Sequence, residues 1–330
     1  MRLLQLGATI PARPENMSVT IRNYQPEDFE AYVELVIGGP AAGKSDKAAA
    51  RRWIKEQLAK PDREPQRDLF LAEEEGMLVG YVNILGSVET GRFIFEGRVR
   101  PSHRRRGIGT MLLKKAMTYS QALGARVVQI PVLDEMTGGR RLAEKEGFSV
   151  VRTYWGMELE GEIPKARFPH PFRCRHFMPG DEETLADIHN RVFGASWGFR
   201  PYSVADVSYR VQMSCCRPEG IFLATHGDAV VGYCWTRIEE EYAPQEAVSG
   251  TVWLLGVDSD YRRSGLGRAL LTTAVNYLRG LGITTVGLTI DSRNHPAIAM
   301  CEGLGFTKKE AMLWCEKRLA PPPGISPFGP

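Results

Sequence analysis

Thr251-Val252-Trp253-Leu254-Leu255-Gly256-Val257, then Asp258-Ser259-Asp260-Tyr261, then Arg262-Arg263-Ser264-Gly265-Leu266-Gly267 and Arg268-Ala269-Leu270: this run decides the fold. It reads as an apolar strand, a short polar turn, a loop of the form Arg-x-x-Gly-x-Gly, and the start of a helix rich in Leu and Ala. Glycines between a strand and a helix let backbone N–H groups converge on one concavity. The helix N-terminus adds the positive end of its dipole. The ligand such a cradle suits is a pyrophosphate.

One glycine-rich turn says little on its own. This chain has a second. Arg104-Arg105-Arg106-Gly107-Ile108-Gly109 has the same form, follows a strand ending at Val99, and also opens a Leu- and Ala-rich helix. The surroundings repeat too. Arg22 and Arg175 stand in matching stretches 153 apart, Gly80 and Gly232 are 152 apart, and Arg104 and Arg262 are 158 apart. Phe148 in Glu146-Gly147-Phe148 and Phe306 in Leu304-Gly305-Phe306 are again 158 apart. A near-constant offset along most of the chain means a duplicated domain, with a period too long for a solenoid. The 330 residues agree, because one domain takes roughly 150.

Composition is that of an ordinary globular protein, 43% hydrophobic and 25% charged. The net charge of +3 gives no electrostatic case for nucleic acid, and the glycines behind Arg104–Arg106 explain that run better than a nucleic-acid patch does. Cys174, Cys215, Cys216, Cys234, Cys301 and Cys315 form no C-x-x-C pair, and the histidines are scattered. That argues against a zinc site and for free thiols in a reducing compartment. No apolar run approaches the roughly 20 residues of a membrane helix, and residues 1–17 make a poor signal peptide. The expected location is cytoplasmic. The sequence says nothing of oligomeric state.

Each half is expected to run strand, helices, hairpin, motif strand, motif helix, strand, helix, strand, giving an α/β (α+β) mixed sheet in two tandem domains, 18–160 and 172–318. In the first half the hairpin turns at Glu75-Gly76. In the second it turns at His226-Gly227-Asp228. The second motif helix, Leu266–Leu281, carries Ala269, Leu270, Ala274, Val275 and Leu278 on one stripe. Residues 161–171, with Pro164, Pro169 and Pro171, read as the linker. Residues 1–17 and 319–330 read as tails.

The Arg-x-x-Gly-x-Gly loop, the preceding Gly256-Val257-Asp258 and the following Asn294, Ala297 and Gly305-Phe306 resemble the GNAT superfamily of N-acetyltransferases. The likeness covers both halves and is greatest to tandem members that work through their C-terminal half. It implies a twisted sheet splayed beside the motif strand, with the thioester of acetyl-CoA, the co-substrate, lying in the splay. It further implies that Leu255 and Val257 offer backbone groups to the pantetheine, and that Arg262, Arg263, Ser264, Gly265, Leu266, Gly267 and Arg268 hold the pyrophosphate. Asn294 would contact the pantetheine arm. In the first half the corresponding residues are Val99, Arg104, Arg105, Arg106, Gly107, Ile108, Gly109 and Thr110. Met136 stands where the second half has Asn294, so the second half is expected to be the catalytic one.

The chemistry agrees. Freeing the lone pair of an amine with a pKa of ~10.4 at neutral pH costs roughly 4 kcal/mol, so a base or water relay helps carry the proton away. The tetrahedral oxyanion needs a donor, by resemblance a backbone N–H near Leu255. Two family positions depart from the pattern. Where members often carry a Tyr as acid for the departing thiolate, this chain has Cys301 and Ala143. Where several carry a Glu as base, it has Thr251 and Phe93. Cys301 and Glu246 are the substitutes nearest to hand, with Glu96 a further carboxylate in the first motif strand. Three readings stay open: acetylation of a small-molecule amine, acetylation of a protein N-terminus or lysine, and a non-catalytic acyl-CoA sensor.

Overall fold

A computed structural model describes residues 19–38, 47–239 and 249–319. The first half contains β1 (Thr20–Asn23), α1 (Phe29–Ile37), α2 (Lys47–Leu58), α3 (Pro65–Asp68), β2 (Leu69–Glu74), β3 (Met77–Ser87) and β4 (Arg92–Val99). It continues through α4 (Ile108–Ala122), β5 (Val127–Leu133), α5 (Thr137–Lys145) and β6 (Ser149–Leu159). The second half repeats the order with β7 (Arg173–His176), α6 (Glu182–Phe193), α7 (Val204–Val211), β8 (Ile221–His226), β9 (Ala229–Glu239) and β10 (Ser249–Val257). It ends with α8 (Leu266–Gly280), β11 (Val286–Asp291), α9 (His295–Glu302) and β12 (Thr307–Arg318).

The repeated Arg and Asp of the first turns do the same thing in both halves. Arg22 grips Asp28 through two bonds of 2.6 and 2.7 Å, and Asp28 also accepts from the Gln25 N–H at 2.8 Å. Arg175 grips Asp181 at 2.5 and 2.8 Å, with the Met178 N–H at 2.8 Å. The guanidinium beside it holds each carboxyl below its ordinary pKa. Each pair fixes the angle at which the first strand hands over to its helix.

Among the described residues twelve strands form one mixed sheet in the order β1-β2-β3-β4-β5-β12-β6-β11-β10-β9-β8-β7. The last strand of each half crosses over. β6 lies antiparallel to β11, with Val286 opposite Leu159, and β12 lies antiparallel to β5, with Met312 opposite Leu133. Packing follows the crossing. Met157 and Leu159 of β6 are buried in the second half's core against Leu278 and Phe306, while Cys315 of β12 is buried in the first half's core. Burying a side chain of the Met157 or Leu159 class contributes roughly 1.5–3 kcal/mol, so each half completes the other's core.

Helices cover both faces. In the second half, α6 and α7 lie on one face over Leu223, Tyr233 and Trp235, and α8 and α9 on the other over Phe222, Val231 and Cys234. The stripe Ala269, Leu270, Ala274, Val275 and Leu278 is buried as its spacing requires. The first half repeats this, with α1 and α2 on one face and α4 on the other. Among the described residues no helix is long and apolar enough to cross a membrane.

Candidate active site

The two loops have nearly the same backbone. Arg104 and Arg262 are extended, with φ −68° and −66°. Arg105 and Arg263 are left-handed, with φ 66° and 62°, and Gly107 and Gly265 both have φ 87°. A left-handed arginine costs of order 1–3 kcal/mol and persists only where its surroundings impose it. That it recurs at the matching place in both halves marks the loop as a shaped feature. No side chain caps either helix at Gly107 or Gly265. The first intrahelical bonds at these ends begin at the N–H of Met111 and of Ala269. The N–H groups before them, on Ile108, Gly109 and Thr110 and on Leu266, Gly267 and Arg268, face the concavity with the dipole end behind them. This fits an anion, and both cradles keep it.

The arginine side chains have other duties. Arg262 donates through Nε to the carbonyl of Val257 at 3.1 Å, and Arg104 does the same to Val99 at 3.1 Å. Each first arginine thus ties the loop back to its motif strand. Arg106 turns away from the cradle onto buried Glu74, at 2.5 and 2.9 Å, with His103 on the same carboxylate at 3.4 Å. The second half replaces this group with Ser264, whose Oγ donates to the Tyr261 carbonyl at 2.6 Å. Arg268 reaches the carbonyl of Gly303 at 3.1 Å.

Beside each loop the sheet opens. β10 pairs in parallel with β11 only over Gly250–Val252, and β4 with β5 only over Arg92–Ile94. Beyond those three residues the strands separate into a wedge. The Asp258 N–H bonds to Val231 across the β9 side at 2.9 Å. With a period of two, Gly256 also faces β9, and Leu255 and Val257 turn their backbone groups into the wedge. Arg262 occupies the Val257 carbonyl, which leaves its N–H and both groups of Leu255 for a ligand.

The wedges differ. In the second half the β9–β10 register shifts between Val252 and Leu254, a bulge at Trp253. The bulge kinks the strand and re-aims Leu254 and Leu255 beyond it. In the first half β3 and β4 pair without a shift from Gly80–Val99 to Ser87–Arg92. The linker adds a second difference. It lies over α8 and closes a cleft of about 490 Å³ lined by Pro164, Lys165, Arg167, Phe168, Pro169, Gly265, Arg268, Ala269, Thr272 and Leu304. At Gly265 an added Cβ would meet Pro169 at 3.8 Å, whereas at Gly107 it would meet nothing within 4 Å. Three cations, Lys165, Arg167 and Arg268, therefore line this cleft together with Gly265 of the second cradle. Sequence reading missed the linker's part, because proline spacing marks a connection and not the surface it covers.

Asn294 sits at the start of α9, where its side-chain oxygen accepts from the Ala297 N–H at 3.4 Å. Asn294 is exposed, so its amide NH₂ stays available as a donor. Met136 offers no such cap at α5. Cys301 lies in the apolar core with Ile298 and Phe306, and burial pushes its thiol up to about 11. Glu246 lies outside the described residues. Glu96 is exposed on β4, and the protein packed around it raises its carboxyl above the ordinary range.

A model of the acetyltransferase (GNAT) family matches residues 29–148 and again 183–306. The chain belongs to the acetyltransferase (GNAT) family. As a GNAT chain with two copies of the domain it is an acyltransferase, in agreement with the resemblance read from its motifs. A mycothiol acetyltransferase of Streptomyces coelicolor is 30% identical over 307 residues, 92% of this chain and 96% of that one. A mycothiol acetyltransferase of Geodermatophilus obscurus is 29% identical over 289 residues, 86% and 85% of the two chains. Among solved structures, a GCN5-related N-acetyltransferase from Sphaerobacter thermophilus superposes with a TM-score of 0.70 at 24% identity, covering 96% of this chain and 98% of that one. A tandem GNAT protein from the clavulanic acid biosynthesis pathway, solved without acetyl-CoA, gives 0.69 at 17% identity, covering 92% and 100%. The shared tandem fold is the observation these two carry.

Proposed function

We propose that the protein transfers an acetyl group from acetyl-CoA to a primary amine of a small molecule, and that the second wedge is where it does so. The observation that carries this is the asymmetry of the halves. Both keep the cradle, but only the second joins it to a bulged motif strand, an Asn294 amide and a linker-covered cleft with three cations. The relatives named mycothiol acetyltransferase favour a small acceptor over a protein one.

In this reading the N–H groups of Leu266, Gly267 and Arg268 hold the pyrophosphate, and Lys165, Arg167 and Arg268 hold the outer phosphate end. Leu255 and Val257 align the pantetheine along β10. The neutral amine attacks the thioester carbon directly. A C–N bond forms, the C–S bond breaks, and the amine's proton leaves to water. The Leu255 N–H stabilises the tetrahedral oxyanion that the attack forms and that collapses as the C–S bond breaks, a role that contributes on the order of 10²–10³-fold where it has been removed. The departing thiolate takes a proton. The first half completes the fold through β6 and supplies one wall of the acceptor cleft.

Thioester consumption at saturating acetyl-CoA, measured over a panel of primary amines, tests the reading. Turnover with small amines that is lost on Gly265→Glu and kept on Gly107→Glu is the expected result. Tight acetyl-CoA binding without turnover of any amine or peptide would make the protein a sensor.

A further inference from the structure

Three residues line up across the sheet where the second wedge begins. The last residue of β11 paired with β10 is Leu288, opposite Val252, so Thr289 is the first residue of β11 beyond the apex. Gly156 of β6 lies directly opposite Thr289, and Glu310 of β12 directly opposite Gly156. Side chains alternate along a strand. Met157 and Leu288, the neighbours of Gly156 and Thr289, are buried among residues of α8 and α9, so the row Glu310–Gly156–Thr289 faces the other way. The second cradle stands at the N-terminus of α8, on the covered face. An acceptor therefore has to approach the wedge from the open face, where Thr289 and Glu310 are exposed.

The glycine decides what this row can hold. A Cβ on Gly156 would meet Glu310 Cγ at 2.6 Å, Oε1 at 2.9 Å and Cδ at 3.2 Å. Glu310 thus lays its carboxylate across β6, in the space a side chain there would fill. Neighbouring strands lie about 4.8 Å apart, so the carboxylate stands roughly one strand from Thr289. The other charged groups on this floor have partners. Arg152 holds Asp291 at 2.7 and 2.8 Å, and Lys309 lies 3.0 Å from Glu160 and 4.0 Å from Glu158. Tyr154, next on this face of β6, packs against Trp197 and Trp314. Among the described residues Glu310 makes no hydrogen bond or ion pair through its side chain. The first half lacks this arrangement. Its row past the apex is Pro131, Trp314 and Arg152. Trp197 covers Trp314 there at 5.5 Å, and the residue in Glu310's place is a cation.

We propose that Glu310 is the general base of the second wedge: it receives the acceptor's ammonium over Thr289 and takes its proton. The proposal rests on the acetyl-transfer reading and supplies the base that the motif strand lacks at Thr251. An amine of ordinary pKa arrives protonated at neutral pH, and a bare carboxylate beside the apex is the group that attracts it. One N–H bond of the ammonium breaks, the carboxylate becomes a carboxylic acid, and the nitrogen keeps the electron pair with which it attacks the thioester carbon. The second proton the nitrogen sheds on becoming an amide matches the one the departing thiolate takes. The acid at Glu310 returns its proton to water once the amide leaves. In the first half Arg152 would repel the same ammonium, which is a further reason for turnover in the second.

The decisive probe needs no acceptor. S-(2-aminoethyl)-CoA, a stable thioether, carries an ammonium close to the sulfur, and S-propyl-CoA is its uncharged match. Calorimetric titration of the full chain should find the aminoethyl compound at least about fivefold tighter, and Glu310→Gln should bring the two within about twofold. Glu310 is exposed, so this variant should fold. A ligand in the first cradle meets Arg152 instead and adds no such preference. Gly156→Ala, which alters no charge but displaces the Glu310 side chain, should weaken the preference as well. For any amine of the panel that turns over, Glu310→Gln should cut kcat/KM near neutral pH by about 10²–10⁴-fold, with the KM for acetyl-CoA unchanged. The deficit should shrink as pH rises, because more of the amine then arrives neutral. Equal binding of the two thioethers to wild type, a preference that survives Glu310→Gln, or turnover by Glu310→Gln close to that of wild type would overturn the assignment. If no amine turns over, the acetyl-transfer reading fails separately, and the thioether pair still sustains or rejects the ammonium site at Glu310.

Discussion

Arg262 closes its loop against the strand that precedes it: Nε donates to the Val257 carbonyl at 3.1 Å while Nη2 reaches Val192 on α6 at 3.5 Å. The first arginine of the motif is thus a brace, and the anion is left to the backbone. Arg262→Met should weaken acetyl-CoA binding by about 10–150-fold, the range for one lost charge-assisted bond of ~1.5–3 kcal/mol. Arg263→Met, whose neighbour in the loop carries the brace, should cost far less. Calorimetric titration of both variants checks this, and equal losses would contradict the brace.

Gly265→Glu should abolish acetyl-CoA binding in the second half while leaving a folded protein. With φ at 87° the position disfavours any Cβ, and a carboxylate there opposes a phosphate. Gly107→Glu, at the same φ in the first cradle, should leave the rate of CoA release within about twofold of wild type once scaled for any stability loss of ~1 kcal/mol. The reverse ranking would move the active wedge to the first half.

Much of this is legible in the sequence. The glycine loops, the repeat and the buried stripe of α8 depend on local spacing, and a sequence displays local spacing directly. The exchange of β6 and β12 was not legible. Their alternation marks them as strands, but Met157 packs as well against one core as another until the topology chooses. The bulge at Trp253 was hidden for a similar reason, since a register shift belongs to two strands and leaves no mark on one. Glu310 and Gly156 lie 154 positions apart, and only the exchange of β6 and β12 makes them neighbours.

The linker's cations should act on the phosphate end of the ligand. Lys165→Ala with Arg167→Ala should raise the dissociation constant of acetyl-CoA by about 3–30-fold, as expected for two partly solvated charge contacts of ~0.3–1 kcal/mol each. The same pair should flatten the salt dependence of binding, because fewer cations are screened. Dephospho-CoA, which lacks the outer phosphate, should be indifferent to the change. A full effect on dephospho-CoA would show that the linker acts by shape alone.

His189 should make the protein sensitive to mild acid. Burial lowers its pKa from 6.5 to about 4. Above pH 6.5 the ring is neutral folded and unfolded, so it adds no slope. Between pH 6.5 and 4 the unfolded chain takes up a proton that the folded chain refuses, and stability falls as pH falls, by up to ~3 kcal/mol. His189→Gln should be less stable at pH 7, for want of the ring's hydrogen bond with the Tyr233 hydroxyl at 2.7 Å, but should lose less between pH 7 and 4.5. Parallel melting curves for wild type and variant would expose the assignment as mistaken.

Cys301→Ala should leave turnover within about tenfold of wild type. The thiol occupies the place where a family acid is often found, so two roles compete for it. A positioned acid contributes ~10²–10⁴-fold, and its loss should cost at least the lower figure. The surroundings favour packing. The side chain is 2% exposed and lies among Ile298, Leu304 and Phe306. Burial pushes its thiol up to about 11, which makes it a reluctant donor to a departing thiolate. Truncation removes one sulfur from a tight core, so the melting temperature should fall modestly while CoA release continues. The reverse pattern, a hundredfold slower release at an unchanged melting temperature, would make Cys301 the acid after all.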